Sequence, residues 1–143
     1  MHEEHYRKLE RMYARANSQQ YYSTDLTISE GAAELRIPIR EDFHHAAGAV
    51  HGSVYMKAID DTAFFAANSL ETDVFVLTQQ LNVYFLRPIV AGTMIARAKV
   101  VMASRNLWVA ESVVTDDGGR EIGRGTGTFV RSKQALGPEI GYE

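Results

Sequence analysis

Residues 45–69 read HAAGAVHGSVYMKAIDDTAFFAANS, and the way this stretch folds decides the arrangement of the rest. It opens with a glycine-spaced turn and runs into an apolar segment from about His51 to Ser69, interrupted by the adjacent acids Asp60 and Asp61. At about 100° per residue, Val54, Tyr55, Ala58, Ile59, Ala63, Phe65, Ala66 and Ala67 cover a broad apolar arc of one helix. Ser53, Lys57, Asp60, Asp61 and Asn68, with Phe64 among them, form its narrow polar side. A helix apolar over so much of its circumference is enclosed on several sides. A curved sheet supplies one cover, and a partner subunit is the natural candidate for the remainder.

The flanking sequence supplies that sheet. Residues 25–39, DLTISEGAAELRIPI, alternate on both sides of a Glu30-Gly31 turn and predict a hairpin. Leu26 and Ile28 share a face of its first strand; Leu35, Ile37 and Ile39 share a face of its second. Pro38 has no N–H for a ladder and places its end at an edge or a bulge. Further upstream, Leu9, Met12 and Tyr13 at i, i+3, i+4 spacing predict an N-terminal helix within residues 1–19.

Downstream, four strands are expected over about residues 73–88, 92–104, 106–115 and 120–132, the last two joined by the turn DDGG. Gly123, Gly125 and Gly127 fall on one face and leave a bare strip that a helix or a backbone can approach. Residues 134–143 are expected as a loose tail. Short connections make antiparallel neighbours. The order helix, two strands, long helix, four strands predicts one α+β domain over 1–143, a sheet layered on a central helix.

Composition excludes several classes. The 143 residues contain no cysteine, which removes disulfides, thiolate nucleophiles and zinc-thiolate sites. A net charge of −3 gives no basic footprint for nucleic acid. No window approaches the roughly 18 apolar residues of a membrane span, so a cytoplasmic protein without membrane contact is expected. His44 and His45 are adjacent on a loop with no further ligand at metal spacing, and no metal is expected. GRGTG at 123–127 is not followed by a helix and is not a phosphate loop.

The two acids differ. Asp61 lies one turn after Lys57 and predicts an i, i+4 ion pair. Asp60 sits at the edge of the polar side near Met56, Ala63 and Ala67. Two readings remain for it: a hydrogen-bonded carboxylate at an interface, or a base or nucleophile facing a cleft. At the helix start, Gly48, His51, Gly52 and Ser53 lie where free N–H groups and the positive end of the dipole suit an oxygen that becomes negative. An ordinary tight turn has the same composition.

On these residues the sequence resembles the hotdog-fold acyl-CoA thioesterases, particularly the phenylacetate-pathway type. The resemblance spans about residues 20–133 and rests on residues 45–69, on TQQLNVYFLRPIVAGTMIARAKV (78–100) and on GREIGRGTGTFVRSK (119–133). His-Gly-small opens the helix, and an acid follows the His by nine residues.

The resemblance implies an antiparallel sheet wrapped around the central helix, pairing of sheets edge to edge into homodimers or dimers of dimers, and sites at the dimer interface. The reaction implied is cleavage of the thioester between an acyl group and coenzyme A. CoA is then part of the substrate and no cofactor is expected. By position the family's acid falls on Asp60, as general base or nucleophile, and the N–H that polarises the carbonyl falls on Gly52. Thr78 of the partner subunit helps to hold water. His45 stands where much of the family has an Asn-like side chain, and it could bond the carbonyl. His51 ties the loop to the helix beside the reacting groups. Ser53, Arg87, Arg105, Arg131 and Lys133 are candidates to meet the CoA portion. Tyr55, Phe64, Phe65 and Phe85 are candidates to line an aryl or medium-chain acyl pocket. Two other readings stay open: an acyl-CoA-binding hotdog module without catalysis, and a hotdog hydratase or dehydratase.

Overall fold

A computed structural model describes residues 2–143. Its elements run α1 (Glu3–Ala14), α2 (Gln19–Tyr22), β1 (Asp25–Ser29), β2 (Ala32–Pro38), α3 (Gly52–Asn68), β3 (Val74–Phe85), β4 (Thr93–Ala103), β5 (Leu107–Thr115) and β6 (Glu121–Ala135). The six strands form one sheet in the order β1-β2-β4-β5-β6-β3. Every neighbouring pair is antiparallel. The sheet curls around α3, which touches all six strands. This is the expected α+β hotdog arrangement.

Alternation decides which side of each strand meets the helix. Ala33, Leu35 and Ile37 of β2 and Trp108, Ala110, Ser112 and Val114 of β5 are buried, while their neighbours in sequence are more exposed. Gly31, at φ 64°, makes the β1–β2 turn. Pro38 is tolerated because β1 begins opposite Arg36, leaving Pro38 paired only with Thr93. β3 does not pair with β4, its successor in sequence, but lies at the far edge against β6. The glycine strip on β6 has the expected use. A Cβ on Gly125 would lie 2.3 Å from the Asn82 carbonyl oxygen and 2.9 Å from Ile59 of α3.

Three expectations are corrected. Residues 134–143 are not loose. β6 continues through Ala135, and Leu136, Ile140 and Tyr142 pack on the core. Tyr142 Oη lies 2.7 Å from His5 Nδ1, and His5 Nε2 lies 2.8 Å from the Asn68 carbonyl. Burial pushes the His5 pKa down, so a neutral ring donates through Nε2 and accepts the Tyr142 proton.

Asn68, grouped by the helical spacing with the polar side of α3, does not share the surroundings of the other polar residues there. It is fully buried. Its Nδ2 donates to the Glu71 and Val74 carbonyls at 3.1 Å each, and its Oδ1 accepts the Val76 N–H at 3.0 Å. The end of α3 is thereby fastened to the start of β3. Finally, part of the cover assigned to a partner comes from the chain itself: Tyr13 of α1 packs edge-on against Phe65 at 5.2 Å. Among the described residues no helix is long and apolar enough to cross a membrane.

Candidate active site

A cleft of about 480 Å³ opens between α1, α3, β3 and the C-terminal segment. Met12, Tyr13, Phe64, Phe65, Phe75, Leu77 and Ile140 give it apolar walls, and Asp60 and Thr78 lie on its lining. Asp60 is half-buried there, and its Oδ1 accepts the Thr78 hydroxyl at 2.8 Å. Burial pushes its pKa up. The Thr78 bond opposes that, Asp61 adds to it, and Lys57 draws it back. Thr78 meets Asp60 within one chain, where the expectation gave Thr78 to a partner subunit.

Asp61 has different company. Its Oδ2 pairs with Lys57 Nζ at 2.7 Å, as the spacing predicted, and also accepts the Tyr13 hydroxyl at 2.6 Å. The adjacent acids therefore face different surroundings. Asp61 is anchored to a cation and to α1, and Asp60 is held by one neutral hydroxyl.

The helix start is built by His51. Its extended backbone, φ −62° and ψ 144°, makes it the N-cap, and its Nδ1 accepts the Ser53 N–H at 2.9 Å. Ser53 Oγ lies 2.9 Å from the same nitrogen, and the His51 N–H bonds the Phe43 carbonyl at 2.9 Å. His51 and Ser53 thus shape the turn. Among the described residues the Gly52 N–H meets no acceptor. A Cβ at Gly52 would lie 3.0 Å from the Phe85 ring, which itself packs edge-on against Tyr55 at 5.6 Å. Of the four aromatic residues expected in an acyl pocket, Phe64 and Phe65 line the cleft, whereas Tyr55 and Phe85 pair beside Gly52.

His45 is exposed, and its Nδ1 accepts the Ala47 N–H at 3.1 Å, closing its own loop. The expected cations scatter. Arg87 donates to the Glu121 carbonyl at 2.8 Å, Arg105 sits in the β4–β5 turn, and Lys133 is exposed on β6. Arg131 pairs with the buried carboxylate of Glu71, which makes it a structural partner and not a free phosphate ligand. The cations that do line the cleft are Lys57 and Arg15. The helical stripe on α1 placed Met12 and Tyr13 on a buried face but did not say that this face walls the cleft. Ile140 carried no signal, because a Gly-Pro-bearing end reads as loose.

Comparison with known proteins gives concordant results. The pattern of the thioesterase superfamily matches residues 47–122. A Saccharolobus solfataricus protein named as a candidate esterase is 29% identical over 104 residues, 73% of this chain and 74% of that protein. A 1,4-dihydroxy-2-naphthoyl-CoA hydrolase of Listeria monocytogenes is 27% identical over 93 residues, 64% of this chain and 76% of the relative. The structure of the E. coli PaaI protein, from the phenylacetic acid degradation operon, superposes with a TM-score of 0.85 at 17% identity, covering 93% of this chain and 96% of that one. At that identity the likeness concerns the fold.

Proposed function

The chain belongs to the thioesterase superfamily and is a thioesterase; from that premise we propose that it hydrolyses an acyl-CoA thioester to the free acid and CoA, with Asp60 as the reacting carboxylate. The observation that carries this reading is the state of Asp60, half-buried on an apolar cleft and bonded to Thr78. A carboxylate whose pKa burial has raised is a stronger base toward water. The Thr78 proton occupies Oδ1 and leaves Oδ2 to take a proton from water or to attack the carbonyl. The lone pairs of Thr78 Oγ can accept a bond from the same water.

The developing oxyanion needs a donor, and the Gly52 N–H at the start of α3 suits it. Gly52 and Asp60 are eight residues apart on one helix, about 12 Å along its axis. One thioester carbonyl cannot meet both groups of a single chain. The complete site therefore joins Asp60 of one copy to Gly52 of a second in a homodimer. The unpaired edge of β3 supports this, since Leu77, Tyr84 and Phe85 on it are 50%, 65% and 54% exposed.

The aromatic walls favour a flat aryl group or a medium acyl chain, and the aromatic acyl group named for the Listeria relative agrees. Arg87, Arg105 and Lys133 remain the candidates for the CoA phosphates. The test is thiol release from benzoyl-, phenylacetyl-, hexanoyl- and octanoyl-CoA by the wild type and Asp60→Asn. The variant should fold normally and lose about 10²–10⁴-fold in kcat/KM. Turnover within tenfold of wild type on the accepted substrates would remove Asp60 from the reaction.

A further inference from the structure

Asp61 is the carboxylate of the cleft that the reaction leaves without a task. Lys57 stands three residues before Asp60 and four before Asp61, so helical spacing offers its ammonium to either. The structure gives it to Asp61, at 2.7 Å. Tyr13 donates to the same Asp61 oxygen at 2.6 Å, and Thr24 Oγ lies 2.9 Å from the Tyr13 hydroxyl. The Lys57 ammonium also sits over the rings of Tyr13 and Tyr22, at 5.2 and 4.9 Å from their centroids. The side chains of Lys57 and Asp61 are only 14% and 17% exposed. A desolvated ion pair adds little net stability to a fold, because drying both charges offsets their attraction. Three elements nevertheless converge to hold this one.

We propose that Asp61 is a positioning residue for the reaction: with Tyr13 it captures the Lys57 ammonium, which would otherwise pair with Asp60, and so keeps the reacting carboxylate free and basic. An Asp60 paired with Lys57 would be a weaker base, and its oxygens would be turned from water. The inference rests on the reading that Asp60 is the reacting group. The other polar groups named on the cleft lining do not replace this device. Thr78 on β3 and Gln134 on β6 are neutral, Tyr13 donates to Asp61, and Arg15 at the C-cap of α1 pairs with Glu143 at 2.5 Å.

The test is the pH profile of kcat/KM for thiol release in Asp61→Asn, Lys57→Met and the double variant, with Asp60→Asn alongside. Asp61→Asn should move the acidic limb to lower pH and reduce the plateau several-fold. Lys57→Met should move the limb to higher pH. The displacement caused by Asp61→Asn should be much larger with Lys57 present than in the Lys57→Met background, a coupling that a structural role does not produce. Equal displacements in the two backgrounds, or an unmoved limb with a lowered Tm, would overturn the proposal while leaving Asp60 in place. If Asp61→Asn does not fold, an unmoved limb in Lys57→Met overturns it instead. Full turnover by Asp60→Asn would overturn both this proposal and the assignment beneath it.

Discussion

Asn68→Ala tests how the fold positions the site. Asn68 ties the last turn of α3 to the first residues of β3, and those two elements carry Asp60 and Thr78. The substitution deletes the bonds to the Glu71 and Val74 carbonyls and to the Val76 N–H, all close to 3 Å in a fully buried place. Three bonds at about 1 kcal/mol each, with a dry N–H left at Val76, give a loss of about 3–4 kcal/mol. For a chain of this length that corresponds to a fall in Tm of roughly 10 °C. Asn68→Asp keeps the shape and the acceptor for Val76 but turns an oxygen toward two carbonyls, so it should cost at least as much. Urea denaturation with a fixed m-value measures both, and kcat at a temperature where each variant is folded reads the displacement of Thr78 from Asp60. A loss below about 1 kcal/mol for Asn68→Ala would refute the reasoning.

Asp60→Asn should raise Tm at neutral pH while it removes turnover. Burial lifts the folded-state pKa of Asp60 above its unfolded value. Its favourable contribution is therefore present below the unfolded value and is lost as pH rises through the folded one. Tm curves of wild type and variant should diverge with rising pH, and a variant less stable at pH 7 contradicts this. Thr78→Val removes a bond that lowers the Asp60 pKa, so the acidic limb of kcat/KM should move to higher pH, and an unmoved limb tells against the contact. Arg131→Leu leaves the buried Glu71 with only the Asp73 and Val74 N–H groups. It should cost about 3 kcal/mol with KM for a CoA ester unchanged. A tenfold rise in KM without loss of stability would return Arg131 to the substrate.

The central helix, the hairpin around Gly31 and the strip at Gly123, Gly125 and Gly127 were legible because each follows from local periodicity or from one residue's backbone and steric needs. So was the asymmetry of the two acids, since the Lys57–Asp61 pair is an i, i+4 contact. What escaped depends on contacts distant in sequence. Asn68 reads as polar on a helical wheel, and only β3 folding back past it reveals a buried anchor. Arg131 reads as a cation at a strand end until Glu71, sixty residues away, is seen beneath it. The C-terminal segment has the composition of a loose end, yet Tyr142 and Glu143 bond to His5 and Arg11 on α1 and to Arg15 at its C-cap. The Thr78–Asp60 bond needs the β3 crossing to the far edge, which local pattern does not specify.

The most direct measurement of the central claim mixes two inactive subunits. Asp60→Asn removes the carboxylate, and Gly52→Pro removes the N–H at the first helical residue, where proline suits the extended His51 before it. The new ring would meet the Phe85 ring on the β3 edge, so dimer formation by Gly52→Pro is verified by sedimentation before the assay. The two variants are co-expressed with different tags, and the heterodimer is purified and assayed for thiol release. A site that joins Asp60 of one copy to Gly52 of the other leaves one intact centre of two, so the heterodimer should recover about half the wild-type turnover. A heterodimer as inactive as either parent would contradict the account.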